Sequence, residues 1–231
     1  MKSFKSNIEK QINNIPKGRI FTYDHLSFSP SKFAHVGVIL SHLTQENLLI
    51  RIEKGAYYRP ESSILGLGNL PVYQEEKLNY ITKKLDGYLT GPYIYNKLSL
   101  TGQVPSIFTI AVRNPVRAFK FEKLQITCVK AYVDTPHKSQ ELYLVRLLDA
   151  IKDCRFIPGT SPQTAYSTIY HLHFSSLDFT NLTKIASLAK EYPPRVRKVL
   201  SRMLHDRGYN ELAEELLSTI CPTTKFILPY T

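Results

Sequence analysis

Between residues 31 and 45 the side chains that can donate or accept hydrogen bonds recur on one helical face. Ser31, His35, Ser41, His42 and Gln45 fall there with Ala34 and Val38, while Phe33, Val36, Ile39, Leu40 and Leu43 form the opposite, apolar arc. A helix that enters the major groove of DNA needs an outward face of small and hydrogen-bonding groups that reach base edges or phosphates. Lys17, Arg19, Lys32, Arg51 and Lys54 flank the segment and are placed to neutralise phosphates. The chemistry in view is recognition of a polyanion. A plainly solvated face is the competing reading, because the outer arc carries two histidines and a valine but no arginine, and arginine on guanine is the commonest specific base contact.

Bond-making chemistry finds little support. The sequence holds neither GxSxG nor HExxH, and "GLGNL" at 66–70 is too short for a phosphate loop and lacks its lysine. Glu75-Glu76-Lys77 contains an ExK, but within a segment that reads as helix, so neither a nuclease site nor any other catalytic residue is expected. His171 and His173 in "YHLHF" would share a face if that segment were a strand. Zinc would then need a third ligand such as His137 or Cys154; nothing in the spacing requires one, and neither metal nor cofactor is expected.

The elements that must position the 31–45 face are legible on either side of it. Phe4, Ile8, Ile12 and Ile15 recur at helical spacing up to the punctuation of Pro16 and Gly18. "RIFTYDHL" gives a short extended piece and one helical turn from Tyr23 to Leu26. Ser29 is a candidate cap and Pro30 a first helical residue. After the helix, "NLLIRIEKGAYYRPE" at 47–61 alternates and turns at Lys54-Gly55. Helix, strand, helical turn, helix and hairpin within about sixty residues is the order of a winged helix-turn-helix. "ESSILGLGNLPVY" at 61–73 reads as a linker.

The second part opens with a helix from Gln74 to Lys84, and a short helix falls within "GPYIYNKLSLTGQVP". "SIFTIAV" and two segments of "VRAFKFEKLQITCVKAYV" read as strands, and "SQELYLVRLLDAIKD" as a helix capped by Ser139. "TIYHLHFSS" alternates like a strand, and helices over Asp178–Lys190, Pro194–His205 and Tyr209–Ile220 close the chain. Arg195, Lys198 and Arg202 line one flank of the 194–205 helix and form a candidate second basic surface, set against a bland account as a solvated basic face.

The totals bound the partner. Thirty Lys and Arg stand against nineteen Asp and Glu, a net charge of +11 in 231 residues, which favours a polyanion such as nucleic acid. Cys128, Cys154 and Cys221 form no CxxC pair, as expected of reduced thiols in a cytoplasmic protein. No apolar run approaches a membrane span, and no membrane partner is expected.

The motifs "PKGRIFTYDHL", "VILSHL" and "LLIRIEKGAYYRP", with "YLTGPYIYNKLSLTGQVPSIFTIAV" and "YPPRVRKVLSRMLHDRGYNELAEELLSTICPTTKFIL" further on, resemble the AbiEi-like antitoxins, a prokaryotic family of winged-helix regulators. The resemblance spans most of the chain apart from about 117–175. It implies the antitoxin of a type IV toxin–antitoxin pair, which represses its own promoter at inverted repeats on double-stranded DNA. It also implies that the chain counters a nucleotidyltransferase toxin without a stable complex. Tyr57, Tyr58 and Pro60 would then be core residues at the hairpin exit rather than DNA contacts. Gly37 and Val38 depart from the family, which often carries a basic residue there. The expectation is a mixed α+β (α/β) chain, with a winged helix over 1–66 and a larger α+β domain over 70–231 ending in a helical bundle. It is expected to act as a DNA-binding autorepressor and antitoxin and not as an enzyme. The alternative is a basic RNA- or protein-binding module, an orphan regulator without a cognate toxin.

Overall fold

The computed structural model describes residues 2–63, 68–223, 225–226 and 228. The chain is α+β and divides into two compact units, Met1–Ile81 and Thr82–Thr231.

In the first unit, α1 (Lys2–Asn14) places Ile8 and Ile12 in the core. Strand β1 (Ile20–Thr22) and a 3-10 turn at Tyr23–His25 follow. A second 3-10 turn, Pro30–Lys32, leads into α2 (Phe33–Gln45). Pro30 opens that turn as anticipated, but Ser29 bonds the Ser31 hydroxyl at 3.0 Å and caps no backbone amide. Strands β2 (Ile50–Glu53) and β3 (Ala56–Tyr58) form the hairpin, and the sheet order is β1-β3-β2, antiparallel throughout. Gly55 turns it with a φ of 83°, a left-handed conformation that glycine adopts without a Cβ penalty.

This small sheet is covered on both faces. Phe21 and Tyr57 join Ile8, Ile12, Val36, Leu40 and Leu43 in one cluster. Ile20, Ala56 and Tyr58 join Val72 in another, against which Tyr80 packs. Tyr57 and Tyr58 therefore point to opposite faces and are both buried.

The stretch at 61–73 is not a plain linker. Its residues 64–67 lie outside the described ones, but Glu61–Ser62 (β4) pairs antiparallel with Asn69–Leu70 (β5). The division at Ile81–Thr82 falls beyond the expected 66–70 because α3 (Gln74–Lys84) is bonded to the first unit. Its Glu76 carboxylate accepts from the Ile20 amide at 3.0 Å, satisfying a donor on the edge strand β1, and the Tyr80 hydroxyl donates to Glu53.

The second unit carries a four-stranded sheet of β6 (Gly87–Thr90), β7 (Ile107–Val112), β8 (Phe119–Phe121) and β9 (Leu124–Lys130) in the order β6-β7-β9-β8. The central pair β7–β9 is parallel. The short helix α4 (Pro92–Lys97) lies between β6 and β7 in the chain. Strand β6 was not anticipated: "GYLT" is short and begins with a glycine. Packing requires that glycine, since a side chain at Gly87 would meet the Ala111 carbonyl oxygen at 2.5 Å.

Helices α5 (Ser139–Asp153), α6 (Pro162–Thr168), α7 (Phe179–Ala189), α8 (Pro194–Asp206) and α9 (Asn210–Ser218) follow. Ser139 begins α5 without capping it. On α8 the anticipated core face of Val196, Val199, Leu200, Met203 and Leu204 is fully buried. The expected strand "TIYHLHFSS" is helical: α6 was missed, and Ile169–Phe174 continues from it as one π-helical stretch. Ile169 and Phe174, five residues apart, are the buried pair, and the Ser175 amide bonds the Tyr170 carbonyl at 2.8 Å. A π-helix is closed by hydrogen bonds between residues five apart, a spacing that a test for alternation or for 3.6-residue periodicity does not detect.

One buried carboxyl ties this unit together. Asp149 on α5 accepts from the Thr90 hydroxyl at 2.7 Å and the Tyr192 hydroxyl at 3.0 Å. Tyr95 donates to the Asp149 backbone oxygen at 3.2 Å and to the Asp153 carboxylate at 2.7 Å. Burial pushes the Asp149 carboxyl above the usual carboxylate range, and it lowers the Arg146 guanidinium.

Candidate nucleic-acid interface

Helix α2 separates its two arcs cleanly. Val36, Ile39, Leu40 and Leu43 are buried, while Ser31, Lys32, Ala34, His35, Val38, Ser41, His42 and Gln45 are exposed. The exception is Phe33, assigned to the core from its spacing but 54% exposed. It sits on the first turn and stacks on Tyr23, with ring centroids 4.6 Å apart.

Tyr23 is a positioning residue that sequence reasoning passed over. A side chain at Gly55 would meet its ring at 3.7 Å, and one at Gly37 would meet its hydroxyl at 3.5 Å. The tyrosine thus lies between the hairpin tip and the middle of α2 and keeps Lys54 beside that helix. Burial raises the Tyr23 hydroxyl above its ordinary value, with Tyr57 adding to the effect and Arg51 opposing it, so it stays neutral at working pH. No local sequence pattern announces this role, which depends on two glycines brought close from elsewhere.

The basic residues are all exposed but do not form one patch. Lys54 stands at the hairpin tip, and the Lys32 ammonium lies 6.0 Å from the Phe4 ring centroid, at the start of α2. Arg51, on the edge strand β2, donates to the Glu53 carbonyl at 3.2 Å. Arg19 immediately precedes β1, the opposite edge of the sheet, so Arg19 and Arg51 are separated by the width of three strands. Lys17 lines a groove of about 520 Å³ with Glu9, Glu46, Asn47 and Arg59, where two carboxylates share the space. The group that the structure brings together is therefore the outer arc of α2 with Lys32 and Lys54. Ten of the thirty Lys and Arg and seven of the nineteen Asp and Glu lie in residues 1–81, so placement, not excess charge, singles out this face.

Arg59 was also missed. Its Nη1 donates to the Asn13 and Ile15 carbonyl oxygens, both at 2.8 Å, at the C-terminal end of α1. The last turn of α1 holds no basic residue of its own, and a guanidinium from the hairpin exit satisfies those orphan carbonyls.

The second basic surface is dispersed. Arg195 is half-buried and donates to the Lys152 carbonyl near the end of α5. Arg202 pairs with Asp206 at 2.8 Å, and Arg197 donates to the Thr219 carbonyl at 2.8 Å. Lys198 and Arg202 line a cavity of about 330 Å³ that also holds Glu214. The flank reads as basic on a helical wheel because the wheel omits Glu214 and the Lys152 and Thr219 carbonyls, which come from other parts of the chain.

His171 and His173 do not form a pair of ligands. His171 is exposed, whereas His173 is half-buried, with Nε2 2.8 Å from the Leu98 carbonyl and Nδ1 2.9 Å from the Tyr143 hydroxyl. The carbonyl can only accept, so Nε2 carries a proton and donates to it, while Nδ1 and the Tyr143 hydroxyl share the second hydrogen bond. Among the described residues no group of three or more His, Cys, Asp or Glu is placed to hold a metal ion, and no helix is long and apolar enough to cross a membrane.

By class this is an α+β chain of two units whose first unit presents a polar, solvated helix face beside a short hairpin. The chain belongs to the family of unknown function DUF6088, which matches residues 7–144. A solved structure, the RV2827C protein from Mycobacterium tuberculosis, is similar at 13% identity with a TM-score of 0.40, covering 96% of this chain and 83% of that chain. No curated protein matches the sequence.

Proposed function

We propose that the first unit is a winged helix and that the chain is a cytoplasmic DNA-binding autorepressor, acting at inverted repeats in its own promoter. One observation carries the reading: α2 buries its entire apolar arc except Phe33, and presents an opposite arc of small and hydrogen-bonding side chains beside a hairpin tip bearing Lys54. Small polar groups on a rigid helix can reach base edges, and lysines on either side supply the phosphate contacts that fix register. The antitoxin role, as the partner of a nucleotidyltransferase toxin in a type IV pair, rests on the resemblance of the motifs alone. The reading involves binding and no catalytic step.

The test is a gel shift on the duplex upstream of the chain's own gene, beside a scrambled duplex, at two salt concentrations. A preference for the upstream duplex that is lost when Lys32, His35 and His42 are changed together to alanine supports the assignment. Undiminished affinity in the triple variant would remove α2 as the recognition helix. Equal and steeply salt-sensitive binding to both duplexes would reduce the net charge to a nonspecific footprint.

A further inference from the structure

The outer arc of α2 is unusual in what it omits. It carries no arginine, lysine, aspartate or glutamate between Ala34 and Gln45. In the major groove guanine is read by Arg or Lys, and cytosine by Glu or Asp. Adenine is read by Asn or Gln, and the 5-methyl of thymine by an apolar contact. The arc offers the last two kinds. Gln45 is exposed at the end of the helix, and Ala34 and Val38 are exposed four residues apart, Val38 by 56%. Four residues are about 6 Å of helix rise and about 40° of rotation, so the two apolar groups stand side by side along the face. That distance is about two base-pair steps at roughly 3.4 Å each.

Val38 has no packing role to explain it. The helix is held by Val36, Ile39, Leu40 and Leu43 on the far arc, and the Tyr23 cluster engages the Phe33–Gly37 side. The valine stands among Ser41, His42 and Gln45, with Lys32 at the start of the helix and Lys54 at the hairpin tip beside it, so a polyanion is the occupant that the charge favours.

Resting on the winged-helix reading above, we infer that α2 is a reader of A·T pairs, with Ala34 and Val38 packed on thymine 5-methyl groups and Gln45 paired with adenine. Specificity then comes from methyl contacts and one amide, and phosphate contacts by Lys32 and Lys54 set the register.

The probe is the upstream duplex made twice, once with thymine and once with uracil throughout, which removes the 5-methyl groups and keeps Watson–Crick pairing. Burying one methyl is worth about fourfold in affinity. With two methyl contacts the wild-type chain should bind the thymine duplex at least roughly fifteenfold more tightly than the uracil duplex, and Val38→Ser should cut that ratio about fourfold. A wild-type ratio of one, with preference over the scrambled duplex retained, overturns the methyl reading and leaves the DNA-binding reading standing. A ratio that survives in both Val38→Ser and Ala34→Ser also overturns it, because the discrimination would then come from the altered duplex shape. Loss of any preference over the scrambled duplex, in thymine DNA and with wild-type protein, overturns the winged-helix reading and this inference with it.

Discussion

Arg59 sits in the motif "KGAYYRP", and its charge invites assignment as a phosphate contact. The structure gives it different work. Its Nη1 makes two 2.8 Å hydrogen bonds to the Asn13 and Ile15 carbonyls, and the Arg59 carbonyl accepts from Gly18 at 2.8 Å, so the hairpin exit is laced to the end of α1. Arg59→Met keeps the aliphatic stem and removes the donors. A hydrogen bond to a charged group contributes about 1.5–3 kcal/mol. One nitrogen is shared between two acceptors at a partly exposed site, so the loss should be nearer 2–3 kcal/mol than the full sum. In a unit of this size that lowers the melting midpoint by roughly 10–20 °C. Two assays together check the reasoning: thermal unfolding by circular dichroism, and the slope of log K against log salt on the upstream duplex. Arg59→Met should unfold earlier and, at temperatures where it is folded, keep the wild-type slope. Lys54→Ala should melt normally and reduce the slope by about 0.9. A wild-type midpoint for Arg59→Met, coupled with a slope reduced by about one, would show that the arginine meets a phosphate and that the clamp contributes nothing.

Three other outcomes follow from the packing. Gly37→Ala should raise the thermal midpoint, because alanine is favoured over glycine by about 1 kcal/mol within a helix and the added Cβ meets only the Tyr23 hydroxyl at an ordinary 3.5 Å; a lower midpoint would mean that Tyr23 needs closer approach than the geometry indicates. For Asp149 the folded-state value is raised by burial, so the neutral acid is the form the fold prefers. Its contribution is complete below the unfolded value and is lost as pH rises through the folded one. The urea-midpoint difference between wild type and Asp149→Asn should therefore shift in favour of wild type as pH is lowered from 8 to 4, and the opposite trend would contradict a neutral buried acid. Cys154 is buried, its thiol pushed up to about 11, whereas Cys221 is exposed. A thiol-reactive dye at neutral pH should label Cys221 first and Cys154 only on unfolding, and early labelling of Cys154 would refute its burial.

How much of this was legible depends on the range of each determinant. The amphipathic arcs of α2 and α8 were readable because a helix repeats its own geometry every few residues, and any apolar arc must find cover. The hairpin was readable from alternation and from Lys54-Gly55, a local pair whose glycine alone permits the turn. The π-helical stretch at 169–174 defeated the same method because its buried pair, Ile169 and Phe174, is five residues apart, which fits neither alternation nor the 3.6-residue repeat. Strand β6 was invisible because its glycine answers to a carbonyl on a strand more than twenty residues away. The site divided along the same line. Which residues face outward on α2 followed, except at Phe33, from periodicity, a property of the chain taken a few residues at a time. That Lys54 lies beside that helix, that Arg59 serves α1, that Arg195 serves α5 and that α3 belongs with the first unit were decided only in three dimensions. Each depends on a carbonyl, a ring or an edge amide brought near from distant sequence, and a long polar side chain takes whichever partner the fold presents to it.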